Sequence, residues 1–159
     1  MPVSVRWLDH TAIAVRSIED ALPLYRDVMG GNAGTVHDHP EKGFRALTVR
    51  FPYGGGIELL SPSGEDSFVQ RFLDKRGEGV HHVTFIVEDL AASVAEAKEA
   101  GIRVVDENYD RPEWQEAFIS PRSANGTIIQ LAQSNRDLAG RMKLWPADAY
   151  RIEQAARDD

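Results

Sequence analysis

Hydrophobic and polar positions recur in the same order in the two halves of the chain. Residues 9–15 begin with a polar residue and a histidine and continue as an apolar run, and residues 81–87 do the same. Short apolar runs of this kind predict buried β-strands. The histidines stand at positions 10 and 82, a shift of 72, and the same shift carries Glu58 onto Gln130. We interpret the pattern as an internal duplication, and the alternative is two unrelated stretches that align by chance.

Each half continues with a predicted helix and further predicted strands. The first helix is predicted over residues 21–29 with Asp20 as its N-cap, and the second over residues 90–100 with Asp89 as its N-cap. Turns rich in Pro and Gly separate the strand-like runs, which are residues 44–51, 56–60, 103–105, 117–119 and 127–131. The predicted fold class is therefore α+β, with two tandem βαβββ modules that form a cupped mixed sheet.

The predicted domain organisation is one domain over residues 1–133 followed by a tail. Module one covers residues 7–62, a linker covers 63–78, and module two covers 79–133. A short helix is expected within the linker. The tail, residues 134–159, is predicted to form one or two surface helices because it is polar with interspersed apolar residues: Leu138, Met142, Leu144, Trp145, Tyr150 and Ile152.

Composition narrows the possible chemistry. The 159 residues carry a formal net charge of −7, which disfavours nucleic acid as a partner because like charges repel. The chain has no cysteine, so any metal site must use imidazole and oxygen ligands. No apolar run approaches the roughly 20 residues of a membrane helix, and the first residues lack a signal-peptide pattern. We therefore expect a cytoplasmic protein with no membrane partner.

Four polar side chains are the candidate metal ligands. Glu58 and Gln130 each interrupt an Ile-x-Leu run, and a carboxylate among apolar strand residues is costly to bury unless it is paired or bound to a cation. If a pseudo-twofold axis relates the modules, the two half-sites converge on a divalent ion such as Fe, Mn, Co, Ni or Zn, with open positions for water or substrate. The candidate ligands are His10, Glu58, His82 and Gln130.

Each candidate also has a structural interpretation. The histidines can be hydrogen-bonded core residues, Glu58 a carboxylate on a solvent face, and Gln130 an amide satisfied by backbone. His81 is expected to be a structural neighbour, because strand alternation turns its side chain away from that of His82. The two histidines at positions 37 and 39 are expected to be solvated residues of a polar loop.

Several stretches resemble motifs of the vicinal oxygen chelate superfamily, and most closely those of its methylmalonyl-CoA epimerases. They are Leu-Asp-His-Thr-Ala-Ile-Ala-Val at 8–15, Pro-Glu-Lys-Gly at 40–43, Ile-Glu-Leu-Leu-Ser-Pro at 57–62 and Phe-Leu-Asp-Lys-Arg-Gly-Glu-Gly-Val-His-His at 72–82. The resemblance covers about residues 7–133. It implies that His10, Glu58 and His82 are metal ligands. The family's fourth ligand, a Glu that also transfers protons, is replaced here by Gln130, which cannot take up a proton near neutral pH.

The resemblance implies a metal-dependent isomerase or lyase that stabilises an enolate of a small oxygen-rich substrate, of the 2-oxo acid or acyl-CoA class. With Gln130 in the place of the base, Glu58 is the first candidate for proton transfer, and Glu116, together with Glu113, is the second. Two alternatives stay open. One is a non-haem Fe(II) dioxygenase, which oxygen uptake would indicate, and the other is a non-catalytic small-molecule binding or resistance protein, which tight binding without turnover would indicate.

We also predict a homodimer. The apolar residues of the tail and the exposed edges of the sheet offer surface that a second copy can cover. Light scattering should then give twice the chain mass of 17.7 kDa. A mass of a single chain at high protein concentration would contradict the prediction and indicate that the tail covers its own domain.

Overall fold

The computed structural model describes residues 2–52, 54–64 and 66–136, which form nine strands and three α-helices. The strands are β1 (Val5–Ala14), β2 (Asn32–Ala33), β3 (His37–His39), β4 (Phe44–Arg50), β5 (Gly56–Pro62), β6 (Gly79–Val87), β7 (Val104–Asn108), β8 (Gln115–Ile119) and β9 (Ile128–Gln133). The helices are α1 (Ile18–Pro23), α2 (Phe68–Arg76) and α3 (Leu90–Glu99), with a π-helical turn over Leu24–Val28 and a 3-10 turn over Pro40–Lys42.

All nine strands belong to one mixed sheet whose order is symmetric about its centre. The order is β2-β4-β5-β1-β6-β9-β8-β7, with β3 paired to β4 at one end. The central strands β1 and β6 are antiparallel, and each has a parallel neighbour, β5 for β1 and β9 for β6. Ala12 lies opposite Glu58, and Thr84 lies opposite Gln130, so the two modules share one register under the shift of 72. The predicted α+β class with a mixed sheet is confirmed.

The helices divide between the two faces of the sheet because successive strand residues point to opposite sides. Ile13 and Val15 of the first repeat pack on the face covered by α1, and Val87 and Leu131 of the second pack under α3. The opposite side, here called the inner face, carries α2. Ala12 and Ala14 pack there against Val69 and Leu73 of that helix. His10 follows the alternation of Ala12, so the sheet directs it toward the same inner face.

The helix boundaries confirm some of the predictions and correct others. Asp89 is the N-cap of α3, and its carboxylate accepts a hydrogen bond from the Ala92 N–H at 2.9 Å. The predicted N-cap Asp20 is wrong, because Ser17, in extended backbone, accepts the N–H of Asp20 at 3.1 Å and starts α1 earlier. Asp20 then lies in the first turn, where a carboxylate is favoured by the helix dipole.

Two further predictions concern membrane-spanning helices and the C-terminal tail. Among the described helices, none is long and apolar enough to cross a membrane. The predicted helices of the tail fall on residues 137–159, which lie outside the described part of the chain.

The junction between the π-helical turn and β2 has no room for a side chain at Gly31. A Cβ there would collide with Val49 Cγ1 and would lie 2.7 Å from the Tyr25 carbonyl oxygen, while Val49 is fully buried. We predict that Gly31→Ala lowers the free energy of unfolding by about 1–3 kcal/mol, because core atoms must shift. Urea unfolding measures the change. Gly34→Ala is the matched control, since its Cβ would meet only the Thr48 carbonyl oxygen at 3.4 Å, and an equal loss in both variants would contradict the prediction.

Candidate metal centre

Three of the four predicted ligands meet at the centre of the inner face. His10 lies on β1, Glu58 on β5 and His82 on β6, and β1 is the strand between the other two. One ligand atom from each lies within 4.8 Å of the others. Glu58 Oε2 is 3.5 Å from His10 Nε2 and 3.9 Å from His82 Nε2. The sheet therefore brings together residues that are far apart in the sequence.

The donor set of this centre fits a divalent cation. Both histidines are buried, while the Glu58 side chain is 22% exposed. His82 Nε2 is buried and has no hydrogen-bond partner among the described residues, an arrangement that is costly in a folded protein unless something binds the nitrogen. Two imidazole nitrogens and one carboxylate oxygen are ligands that first-row divalent metals accept.

The ring of His10 is held by a buried carboxylate. Its Nδ1 lies 2.8 Å from Asp9 Oδ2, and Asp9 in turn accepts hydrogen bonds from Arg50 at 2.7 Å and from Trp7 at 3.3 Å. A carboxylate only accepts hydrogen bonds, so His10 Nδ1 carries a hydrogen and donates a hydrogen bond to Asp9. Nε2 is thereby turned toward Glu58, in the manner of a carboxylate that orients a metal-binding histidine.

Hydrogen bonds and nearby charges shift the pKa values of Asp9 and His10 against the effect of burial. Burial acts to raise the pKa of Asp9, but its hydrogen bonds to His10 and Arg50 and their charges hold that pKa far below its usual range. Burial acts to lower the pKa of His10, but the hydrogen bonds to Asp9 and Glu58 raise it above its ordinary value. A cation at His10 therefore competes with a proton that Asp9 and Glu58 favour.

Glu58 and His82 are already in the states that bind a cation. Burial acts to raise the pKa of Glu58, but the hydrogen bond from His10 and the charges of both histidines leave that pKa below its ordinary value. Burial lowers the pKa of His82 to about 3, and the charge of Glu58 offsets this only in part. At neutral pH Glu58 is ionised and His82 is neutral, so each offers a lone pair.

Gln130 lies beside the three ligands and is held at both ends of its amide. Thr84, fully buried on β6, has its hydroxyl 3.0 Å from His10 Nε2 and donates to Gln130 Oε1 at 2.6 Å. The amide nitrogen of Gln130 donates to Glu116 Oε2 at 2.7 Å. The amide oxygen therefore lies on the His10 side, and the amide nitrogen faces away from it.

Glu116, a candidate base, has hydrogen bonds to both of its oxygens. Oε2 accepts from Gln130 and from Trp114 Nε1, the latter at 3.1 Å, and Oε1 lies 3.3 Å from Lys42 Nζ. The structure thus places Glu116 next to Gln130 rather than within the group of His10, Glu58 and His82. Glu113 uses its backbone carbonyl to accept a hydrogen bond from Ser134 at 2.6 Å.

His81 does not point away from His82, contrary to the expectation from strand alternation. Ala12 pairs with His82, but the next residue, Ile13, pairs with Val80, so His81 is the extra residue of a β-bulge. Its Nδ1 lies 2.9 Å from His82 Nδ1. The two histidines of the predicted polar loop are instead the ends of the short strand β3.

Three further residues of the centre were not predicted, and one of them has a signal in the sequence. Asp9 precedes His10 directly, and a carboxylate adjacent to a candidate ligand is a usable sign. Thr84 corresponds to Ala12 in the first repeat. Because no polar residue recurs at this position, the duplication does not indicate Thr84. Arg50 comes from β4, and only the folded sheet brings it to Asp9.

Comparison with known proteins gives the family. The family model of the glyoxalase/bleomycin resistance protein/dioxygenase superfamily matches residues 9–118. The ethylmalonyl-CoA/methylmalonyl-CoA epimerase of Cereibacter sphaeroides is 35% identical over 133 residues, covering 79% of this chain and 96% of the relative. The mitochondrial methylmalonyl-CoA epimerase of Mus musculus is 32% identical, with 80% of this chain and 72% of the relative covered.

The same likeness is found among solved structures. The crystal structure of methylmalonyl-CoA epimerase from Mycobacterium tuberculosis superimposes with a TM-score of 0.78 at 31% identity, covering 88% of this chain and 95% of the other. These relatives confirm the family resemblance and the fold expected from the sequence, and they indicate an enzyme of the epimerase type whose exact reaction is left open. The chain belongs to the glyoxalase/bleomycin resistance protein/dioxygenase superfamily.

Proposed function

We propose that this chain is a divalent-metal-dependent epimerase that acts on an acyl-CoA thioester. The observation that carries the metal dependence is His82 Nε2, which is buried, faces Glu58 and has no hydrogen-bond partner in the described part of the chain. The substrate class is supported by the relatives, which are ethylmalonyl-CoA or methylmalonyl-CoA epimerases. The comparisons do not favour the dioxygenase or the non-catalytic alternative.

The metal would be held by His10 Nε2, Glu58 Oε2 and His82 Nε2, with Gln130 Oε1 as the proposed fourth ligand. When bound, a divalent ion supplies positive charge that polarises a substrate carbonyl and stabilises the negative charge that develops during proton removal. Fe, Mn, Co, Ni and Zn are all compatible with these ligands. Asp9 keeps His10 in the tautomer that this arrangement requires.

Glu58 is the proposed proton-transferring residue. Its carboxylate is ionised and its side chain is 22% exposed, so a substrate can reach it. Gln130 cannot accept a proton. Glu116, the second candidate, has hydrogen bonds to both oxygens, so we assign it the positioning of Gln130. A carboxylate accepts but does not donate, and it therefore fixes which end of the Gln130 amide faces His10.

A homodimer remains part of the proposal. The turn that follows α1 exposes three apolar side chains, Leu24, Val28 and Met29, and Val28 is 77% exposed. Neighbouring apolar residues of this kind are typical of surfaces that a second chain covers.

The proposed reaction is tested by deuterium exchange on methylmalonyl-CoA, followed by mass spectrometry. We expect protein loaded with a divalent metal to exchange the proton next to the thioester carbonyl, and chelator to remove the activity. Exchange that survives complete metal removal would contradict the metal dependence. A metal-loaded protein that exchanges neither methylmalonyl-CoA nor ethylmalonyl-CoA would contradict the proposed reaction.

We predict that His10→Ala and His82→Ala each reduce bound metal from about one ion per chain to a small fraction, because the remaining groups cannot complete the coordination shell. Elemental analysis of the purified variants measures this. His37→Ala, at an exposed position of β3, is the matched control and should keep the wild-type content. Wild-type metal content in both site variants would show that the metal lies elsewhere.

We predict that Gln130→Glu destabilises the protein by about 1–3 kcal/mol, because it removes a buried hydrogen bond and sets two carboxylates against each other. The exchanged pair, Gln130→Glu with Glu116→Gln, should recover most of this loss, since a carboxylate at position 130 can then accept from an amide at 116. Thermal or urea unfolding measures both variants.

The control for this exchange is Gln70→Glu. Gln70 donates to Asp74 at 2.8 Å in the same kind of amide–carboxylate pair, but on the exposed side of α2. The change there should cost little, because water screens the two charges. If the double variant is no more stable than Gln130→Glu alone, the assigned role of Glu116 is wrong.

A further inference from the structure

A pocket of about 260 Å³ lies beside the candidate metal centre and has no role in the account above. It lies between the last turn of α2 and the turns that precede β9. Apolar side chains form part of its wall, and Arg76 and His81 add polar groups. A pocket that combines a cation with apolar walls favours a ligand that has both an anionic group and an apolar portion.

The pocket adjoins the centre through one pair of side chains. His81 lines the pocket, and its Nδ1 is 2.9 Å from Nδ1 of His82, whose Nε2 faces Glu58. Phe72, another wall residue, packs its ring against the ring of His81 with centroids 5.0 Å apart. The pocket and the centre are therefore neighbours across the His81–His82 pair, and an elongated ligand that occupies both would pass these two rings.

The charge at the pocket is opposite to that of the whole chain. Among the described residues, no carboxylate pairs with Arg76, whose guanidinium lies 5.7 Å from the centroid of the Phe72 ring. In a chain with a net charge of −7, an arginine in the wall of a pocket indicates an anionic ligand.

We propose that the pocket receives the phosphate-bearing arm of an acyl-CoA thioester, with Arg76 contacting a phosphate. The proposal rests on the proposed function, since it takes the thioester end of the same molecule to be at the metal centre. A volume of about 260 Å³ is below the roughly 300–1,000 Å³ of pockets that enclose a whole drug-sized ligand. The pocket therefore holds part of the coenzyme, and the rest spans the distance to the centre or lies in solvent.

The group recognised is a phosphate anion, which inorganic phosphate shares with the coenzyme. The apolar wall of Phe72, Val80 and Ile128 distinguishes the coenzyme from inorganic phosphate, because inorganic phosphate has no apolar portion that could contact it. Inorganic phosphate should therefore compete with the coenzyme only weakly. Competition at equal concentrations would assign the pocket to the free anion and overturn the proposal.

The main experiment compares two substrates that differ in their phosphates. Methylmalonyl-CoA carries them, and the methylmalonyl thioester of N-acetylcysteamine does not. In Arg76→Gln, with metal content verified, the ratio of kcat/KM for the CoA ester to that for the short ester should fall about 10-fold, through KM, as expected for one lost charge-assisted hydrogen bond. Added salt should weaken the same preference in wild-type protein.

The matched control is Arg71→Gln, the same change on the same helix. Arg71 does not line the pocket, and it donates to the Asp66 carbonyl oxygen at 3.0 Å. Its substrate ratio should equal that of wild type. An unchanged ratio in Arg76→Gln, or an equal fall in both variants, overturns the pocket assignment while the proposed function stands. Failure of wild-type protein to act on either ester overturns the proposed function, and the pocket assignment with it.

Discussion

The antiparallel pairing of β1 with β6 is the contact on which the rest of the structure depends. It joins the two modules into one sheet, and it sets His10 and His82 on neighbouring strands of the same face. The parallel partners β5 and β9 then bring Glu58 and Gln130 to either side. A slip of one residue in this pairing would turn one histidine to the opposite face, because side chains alternate along a strand. Register and site are therefore specified together.

The same pairing contains a β-bulge at His81, and because of it the ring of His82 contacts a different kind of side chain from the ring of His10. On β1, Asp9 holds Nδ1 of His10, whereas on β6 the extra residue His81 is placed against Nδ1 of His82. A carboxylate stabilises the protonated imidazole and a second imidazole does not, which agrees with the opposite pKa shifts of the two rings. The duplication thus provides two candidate ligands of one chemical type in two electrostatic environments.

Much of the centre could be predicted from the sequence because the duplication is visible in it. His10 and Glu58 recur 72 residues later as His82 and Gln130, and this recurrence is visible in the sequence. The sheet then brings these positions close together. Residues that reach the centre from outside the repeat have no such signal. Arg50 contacts Asp9 through the pairing of β4 with β5, and the bulge at His81 follows from a register that alternation alone does not predict.

The charge of the proposed ligand set connects this geometry to the proposed chemistry. Two neutral imidazoles, the Glu58 carboxylate and the Gln130 amide together carry one negative charge, so a divalent ion among them keeps one unit of positive charge. Asp9 and Arg50 form a neutral pair behind His10 and do not change that balance. A carboxylate in place of Gln130 would cancel the remaining charge and weaken the attraction for a developing oxyanion. Glu116 accepts a hydrogen bond from the Gln130 amide but would repel a carboxylate, so this contact favours a neutral residue at position 130. A neutral residue there would in turn keep the positive charge of the proposed metal.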